Sequence, residues 1–168
     1  TTSCQIIALD ATNRKRPNDE KCEDLVKMIH EAGRLAMADC STYEECVAAQ
    51  DMGFDIVSTT LCGYTPYSKL IDGPNFELLK KCVDTLHVPV IAEGIETGIQ
   101  ADYLKSIGCF YMQGYYFAKP MPVEEYEKLL FELPLFTTKP QVNTEVVEVS
   151  KLLDASTQTT LMFNSFVG

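Results

Sequence analysis

Apolar and polar positions sort this chain into two alternating kinds of segment. Short apolar runs that end in a polar residue are QIIALD (5–10), LAMAD (35–39), FDIVS (54–58) and VIAE (90–93), and a fifth apolar stretch runs from Tyr111 to Phe117. Runs of this length fit parallel strands covered on both faces. Between them lie segments of helical spacing, about 20–32, 42–52, 76–86 and 98–107, with a last one over about 123–131. Leu25, Val26, Ile29 and Ala32 form one expected buried stripe, and Leu78, Leu79, Val83 and Leu86 another. Gly33, Gly53 and Gly108 stand where helices should stop. Ser41 with Glu44, and Thr97 with Gln100, fit capping boxes, and Asn75 fits a single cap. Strand then helix, five times over, predicts an α/β fold with a parallel sheet and helical crossovers. The 168 residues fall short of the roughly 250 of a closed eight-stranded barrel. The pattern therefore gives about five parallel β/α units, with an open sheet edge on each side.

In such sheets ligands gather at the C-terminal ends of the strands. Asp10, Asp39, Ser58 with Thr59, Glu93 and Gln113 all fall there. Their shared placement carries more weight than any one of them, because a single strand-end Asp is often only a loop anchor. The loop 61–74, with two glycines and two prolines, is long enough to carry binding groups.

Charge narrows the classes of partner. Against 14 basic residues stand 24 acidic ones, a net charge of -10, so neither nucleic acid nor an anionic membrane surface is an expected partner. Arg14-Lys15-Arg16 is a solvated loop or, at most, a contact for one phosphate. Seven cysteines, at 4, 22, 40, 46, 62, 82 and 109, form no CxxC pair. Reduced, partly buried thiols in a cytoplasmic protein are expected, with no metal site. No apolar run has membrane-spanning length and no signal-peptide pattern opens the chain. Thr1 stands close to the first strand, so the start reads as cut. Residues 132–168 break the pattern: LPLFTTKPQVNT reads as a linker, and the apolar end as the start of a truncated further element.

Residues 4–94 resemble the N-acetylmannosamine-6-phosphate 2-epimerase family, also called N-acylglucosamine-6-phosphate 2-epimerase. QIIALDATNRKRP (5–17), LAMADCST (35–42), GFDIVSTTLCGYTPYS (53–68) and HVPVIAEG (87–94) carry the likeness. Residues 90–131 resemble the end of an EAL-type cyclic-di-GMP phosphodiesterase domain, through IAEGIET, GCFYMQGYYFAKP and MPVEEYE. The chain therefore reads as a chimera joined in VIAEG, with residues 1–94 epimerase-like, 95–131 EAL-like and 132–168 a linker. Both resemblances imply (β/α)8 barrels, and the mapping gives this chain strands four to eight.

The first resemblance implies inversion at carbon 2 of an acylated amino-sugar phosphate, with no cofactor. A base removes the proton on one face and an acid returns it on the other. Glu93 matches the family's AEG glutamate and is the catalytic candidate, whereas the family's early-strand lysine has no counterpart. Asp10, Arg14, Arg16, Asp39 and Thr59 are the expected substrate contacts. The family's glycine-rich phosphate-binding segment is replaced by YMQGYYF (111–117). The isolated chain is expected to be inactive. The second resemblance carries over only Glu93 and Gln113, and its metal-binding carboxylates are missing. A remnant of a cyclic-di-GMP signalling protein, and a non-enzymatic fragment that self-associates through its open edges, are the alternative readings.

Overall fold

The computed structural model describes residues 4–132. The expected linker and truncated element beyond Glu132 lie outside the described residues. Five parallel strands alternate with five helices: β1 (Ile6–Asp10), α1 (Cys22–Glu31), β2 (Leu35–Asp39), α2 (Tyr43–Asp51), β3 (Ile56–Ser58), α3 (Phe76–Thr85), β4 (Val90–Ala92), α4 (Gly98–Ser106), β5 (Tyr111–Met112) and α5 (Val123–Glu132). A short 3-10 turn, Pro17–Asp19, interrupts the loop after β1. The strands lie in one sheet in the order β1-β2-β3-β4-β5. Each pairs with its sequence neighbour, with Asp10 level with Asp39, Asp39 with Ser58, and Ser58 with Ile91. A doubly wound sheet reverses its strand order at a switch point. The unbroken order here is that of a barrel wall, and the partial (β/α)8 architecture holds.

The pleat sends alternate residues to opposite faces. Ala36, Ala38, Val57 and Ala92 join Val26, Cys46, Ala49, Leu79, Cys82 and Leu104 from the helices in one buried cluster. Alanines on the helix-facing side let the helices approach closely. Leu79 is fully buried, a burial that stabilises by about 1.5–3 kcal/mol. On the other face Ile6, Met37, Ile56 and Ile91 form a second cluster, with Ala8, Leu35 and Tyr111 against it.

Several local expectations need correction. Ala32 is exposed, because α1 has ended; Cys22, one turn before Val26, is buried in its place. Cys82 likewise completes the buried face of α3, a free thiol packing as a small hydrophobe. The capping box of α2 is Thr42 with Glu45, one residue later than Ser41 with Glu44. The box of Thr97 with Gln100 and the Asn75 cap form as expected. Gly33, Gly53 and Gly108 end their helices in the left-handed region. β3 begins only at Ile56, and β5 is two residues long rather than seven. After Met112 the chain turns, with the Phe117 and Ala118 N–H groups donating to the Gly114 carbonyl. The seven cysteines are free thiols. Among the described residues no helix is long and apolar enough to cross a membrane.

Candidate active site

The inner sheet face changes character along the strands. It begins with Ile6, Met37, Ile56 and Ile91. Two to four residues further on, the same parity gives Asp10, Asp39, Ser58 and Glu93. Parity also separates Thr59 from Thr60. That residue is buried, its N–H donating to the Ile91 carbonyl, and Thr60, in phase with Ser58, reaches the carboxylates. The alternation that marked Ser58 was the available signal for Thr60.

Four side chains meet at this point. Ser58 Oγ donates to Glu93 Oε1 at 2.7 Å, and Thr60 Oγ1 lies 2.7 Å from the same oxygen. Thr60 Oγ1 is also 3.0 Å from Asp39 Oδ1 and 2.6 Å from Ser58 Oγ. These four contacts share only two hydroxyl protons. A proton on Asp39, donated to Thr60, frees the Thr60 proton for Glu93 and relieves the shortage in part, while the Ser58–Thr60 contact still lacks a proton. The electrostatics agree. Burial pushes the Asp39 carboxyl up to about 6, and the Glu93 charge adds to it. The Thr60 hydroxyl acts the other way, and Asp10 adds a smaller upward push. Two carboxylates bridged by one hydroxyl, in a site that holds one of them near neutrality, can store and hand over a proton.

The other expected residues lie at the rim. Asp10 is exposed, and its Oδ1 accepts from the Thr12 N–H at 2.9 Å and the Thr12 hydroxyl at 2.6 Å. Arg14 pairs with Asp10 Oδ2 at 3.5 Å and donates to the Tyr64 carbonyl at 3.3 Å. Arg16 donates to the Asp10 carbonyl oxygen. Asp10, Arg14 and Arg16 thus form one cluster beside the Asp39–Glu93 pair. Gln113 extends β5, its N–H donating to the Ala92 carbonyl and its carbonyl accepting from Ile95. Among the described residues no group of three or more His, Cys, Asp or Glu side chains is arranged to hold a metal ion.

The chain has relatives among known proteins. The family described as "NanE: Putative N-acetylmannosamine-6-phosphate epimerase" matches over residues 1–114. The chain belongs to the NanE family. Curated relatives carrying the 2-epimerase name include those of Clostridium perfringens (strain 13 / Type A), 61% identical over 93 residues, and Clostridioides difficile (strain 630), 57% identical over 94. These alignments cover 55% and 56% of this chain and 42% of each relative. The relative in Listeria monocytogenes (strain EGD-e) is 38% identical over 114 residues, 65% of this chain and 48% of its own length. The chain thus spans less than half the length of these relatives. The solved N-acetylmannosamine-6-phosphate 2-epimerase of Clostridium perfringens superposes with a TM-score of 0.66 and 49% identity. It is matched over 76% of this chain and 55% of that one. The NanE match runs through β4 and β5 to residue 114, so it includes Glu93 and Gln113.

Glu45 was missed in the sequence. It is 4% exposed, yet reading it as a helix position hid its many partners. The Tyr67 hydroxyl and the Ser41 hydroxyl and N–H hold its carboxyl below the usual carboxylate range, although burial opposes them.

Proposed function

We propose that this NanE chain carries one wall of an N-acetylmannosamine-6-phosphate 2-epimerase site, in which Glu93 and Asp39 handle the carbon 2 proton of the open-chain sugar. The carrying observation is the Asp39–Thr60–Glu93 bridge, with Asp39 pushed up to about 6. In the substrate, carbon 2 lies beside the carbon 1 aldehyde, so removing its proton sends the electron pair into the carbonyl. Glu93 accepts that proton; both hydroxyl contacts fall on its Oε1, leaving Oε2 to the substrate. In the fraction of molecules with Asp39 protonated, a fraction that grows as the pH falls through about 6, Asp39 donates to Thr60 and Thr60 to Glu93, which holds the glutamate in its accepting form. Return of a proton to the opposite face needs a second group across the sugar. The family resemblance assigns that role to an early-strand lysine, which this chain does not supply, so full inversion by the chain alone is not expected. Asp10, with Arg14 and Arg16 beside it, contacts substrate hydroxyls or phosphate at the rim.

A half-site of this kind exchanges without inverting. In deuterium oxide, with N-acetylmannosamine 6-phosphate, the carbon 2 proton should be lost above the buffer rate with little N-acetylglucosamine 6-phosphate formed. Glu93→Gln should reduce the exchange at least a hundredfold. Exchange that persists unchanged in Glu93→Gln counts against the role of Glu93. No exchange, together with no heat of binding at millimolar sugar phosphate, removes the epimerase reading.

A second reading takes residues 95–131 as the end of an EAL-type cyclic-di-GMP phosphodiesterase domain and the chain as a chimera. IAEGIET, Gln113 and MPVEEYE favour it. It supplies only Glu93 and Gln113 for a reaction that depends on carboxylate-held metal ions. Binding of the dinucleotide with magnesium, competed neither by N-acetylmannosamine 6-phosphate nor by inorganic phosphate, is the result that would favour it over the epimerase.

A further inference from the structure

We propose that Glu45 is a positioning residue that locks the loops after β1, β2 and β3 together across the catalytic face. This inference rests on the epimerase reading only for the meaning of that face. An N3 glutamate in a capping box needs to accept one bond, here from the Thr42 N–H at 3.1 Å. Glu45 accepts four more. Its Oε2 takes the Ser41 N–H at 2.8 Å and the Ser41 hydroxyl at 2.7 Å. Its Oε1 takes the Asn13 N–H at 3.3 Å and the Tyr67 hydroxyl at 2.6 Å.

The donors come from three separate loops. Asn13 follows Asp10 by three residues, Ser41 follows Asp39 by two, and Tyr67 lies in the loop that begins with Thr59 and Thr60. Ser41 extends the junction, because the Thr65 hydroxyl contacts its Oγ at 3.0 Å. The loop after β3 is therefore tied at Thr60 to the Asp39–Glu93 pair and at Thr65 and Tyr67 to Glu45 and Ser41. Among the described residues no ion pair reaches Glu45, so this buried charge is balanced by hydrogen-bond donors. Unsatisfied, such a charge is costly, and that cost enforces the arrangement of all three loops.

Residue-resolved amide exchange on the full chain tests the assignment. Glu45→Gln replaces two accepting oxygens by one oxygen and an NH2 group that repels donors. Protection of the Asn13 amide and of residues 61–68 should fall at least tenfold while unfolding stays cooperative. Thr42→Ala removes the hydroxyl that accepts from the Glu45 N–H and leaves the carboxylate bonds, so it should cost stability without loosening Asn13 or 61–68. Affinity for N-acetylmannosamine 6-phosphate should drop at least tenfold in Glu45→Gln and hold in Thr42→Ala. If Glu45→Gln loosens only the first turn of α2, Glu45 is a cap and the proposal fails. If that variant does not fold, Tyr67→Phe decides: faster exchange over 61–68 supports the lock, and wild-type protection there overturns it. Absence of sugar-phosphate binding by the unaltered chain tells against the epimerase reading, and the exchange data still decide the role of Glu45.

Discussion

Asp39 shows what a buried carboxyl beside a second carboxylate costs the fold. Its carboxyl is raised from about 3.8 to about 6, first by burial and then by the Glu93 charge. The folded state therefore binds this proton more tightly than the unfolded chain. Stability from this group is fully present below the unfolded value and is lost as the pH rises through about 6. The penalty at neutral pH is on the order of 2–3 kcal/mol as an upper bound. Asp39→Asn, a neutral group of the same shape, should stabilise the chain at pH ~7 by roughly 1–2 kcal/mol, and the gain should vanish below about pH 4. Denaturant unfolding at the two pH values measures it. Loss of stability in Asp39→Asn at both pH values would mean that the carboxylate is structural. The type and position of Asp39 were legible in LAMAD. Its protonation was not, because that depends on Thr60 and Glu93, 21 and 54 residues away in sequence. The contact of Thr60 with both carboxylates was not legible either, since two adjacent threonines differ only in the phase of the pleat.

Among the elements, the agreement is closest where local chemistry is strong. LAMAD becomes a strand over its full length, and Thr97 with Gln100 caps α4. Disagreement concentrates where packing decides. β5 stops at Met112 although YMQGYYF is rich in aromatics. A Cβ on Gly114 would overlap the carbonyl oxygen and the nitrogen of Ile95. The bonds from Ile95 N to the Gln113 carbonyl and from Tyr116 N to the Ile95 carbonyl wrap this segment around Ile95. No periodicity in the sequence records that approach. Gly114→Ala should cost about 3 kcal/mol, because backbone on both sides must move. The loss should appear first as faster amide exchange in residues 111–117, with β1 to β3 retaining their protection. Unchanged stability in that variant would show that the close approach is not maintained in solution.

At the scale of the molecule, the sheet is a wall with two ends. The outer edges of β1 and β5 have no strand beside them among the described residues, and the inner face carries Ile6, Met37, Ile56 and Ile91 below the acids. The five strand–helix repeats predicted a parallel sheet from the sequence and the resemblance added the barrel, since right-handed crossovers alone are equally compatible with a doubly wound sheet. What faces the wall was not legible, because it is not encoded in these strands. The matched segment is 42% of the length of these relatives, and an eight-stranded barrel leaves three β/α units to add. A polypeptide supplying those three units should pair with both edges and cover the inner apolar layer. Two observables follow. The melting temperature should climb with added fragment, by about 2.7 kcal/mol of stabilisation at a hundredfold excess over its dissociation constant. Epimerisation should appear in the mixture, and Glu93→Gln should abolish it while leaving the melting shift intact. A second copy of this chain is the competing cover for the edges, and light scattering separates the two. A stable cooperative monomer that gains both stability and activity from the fragment supports a site completed across the barrel. A tight dimer that ignores the fragment would mean that the open edges serve self-association instead.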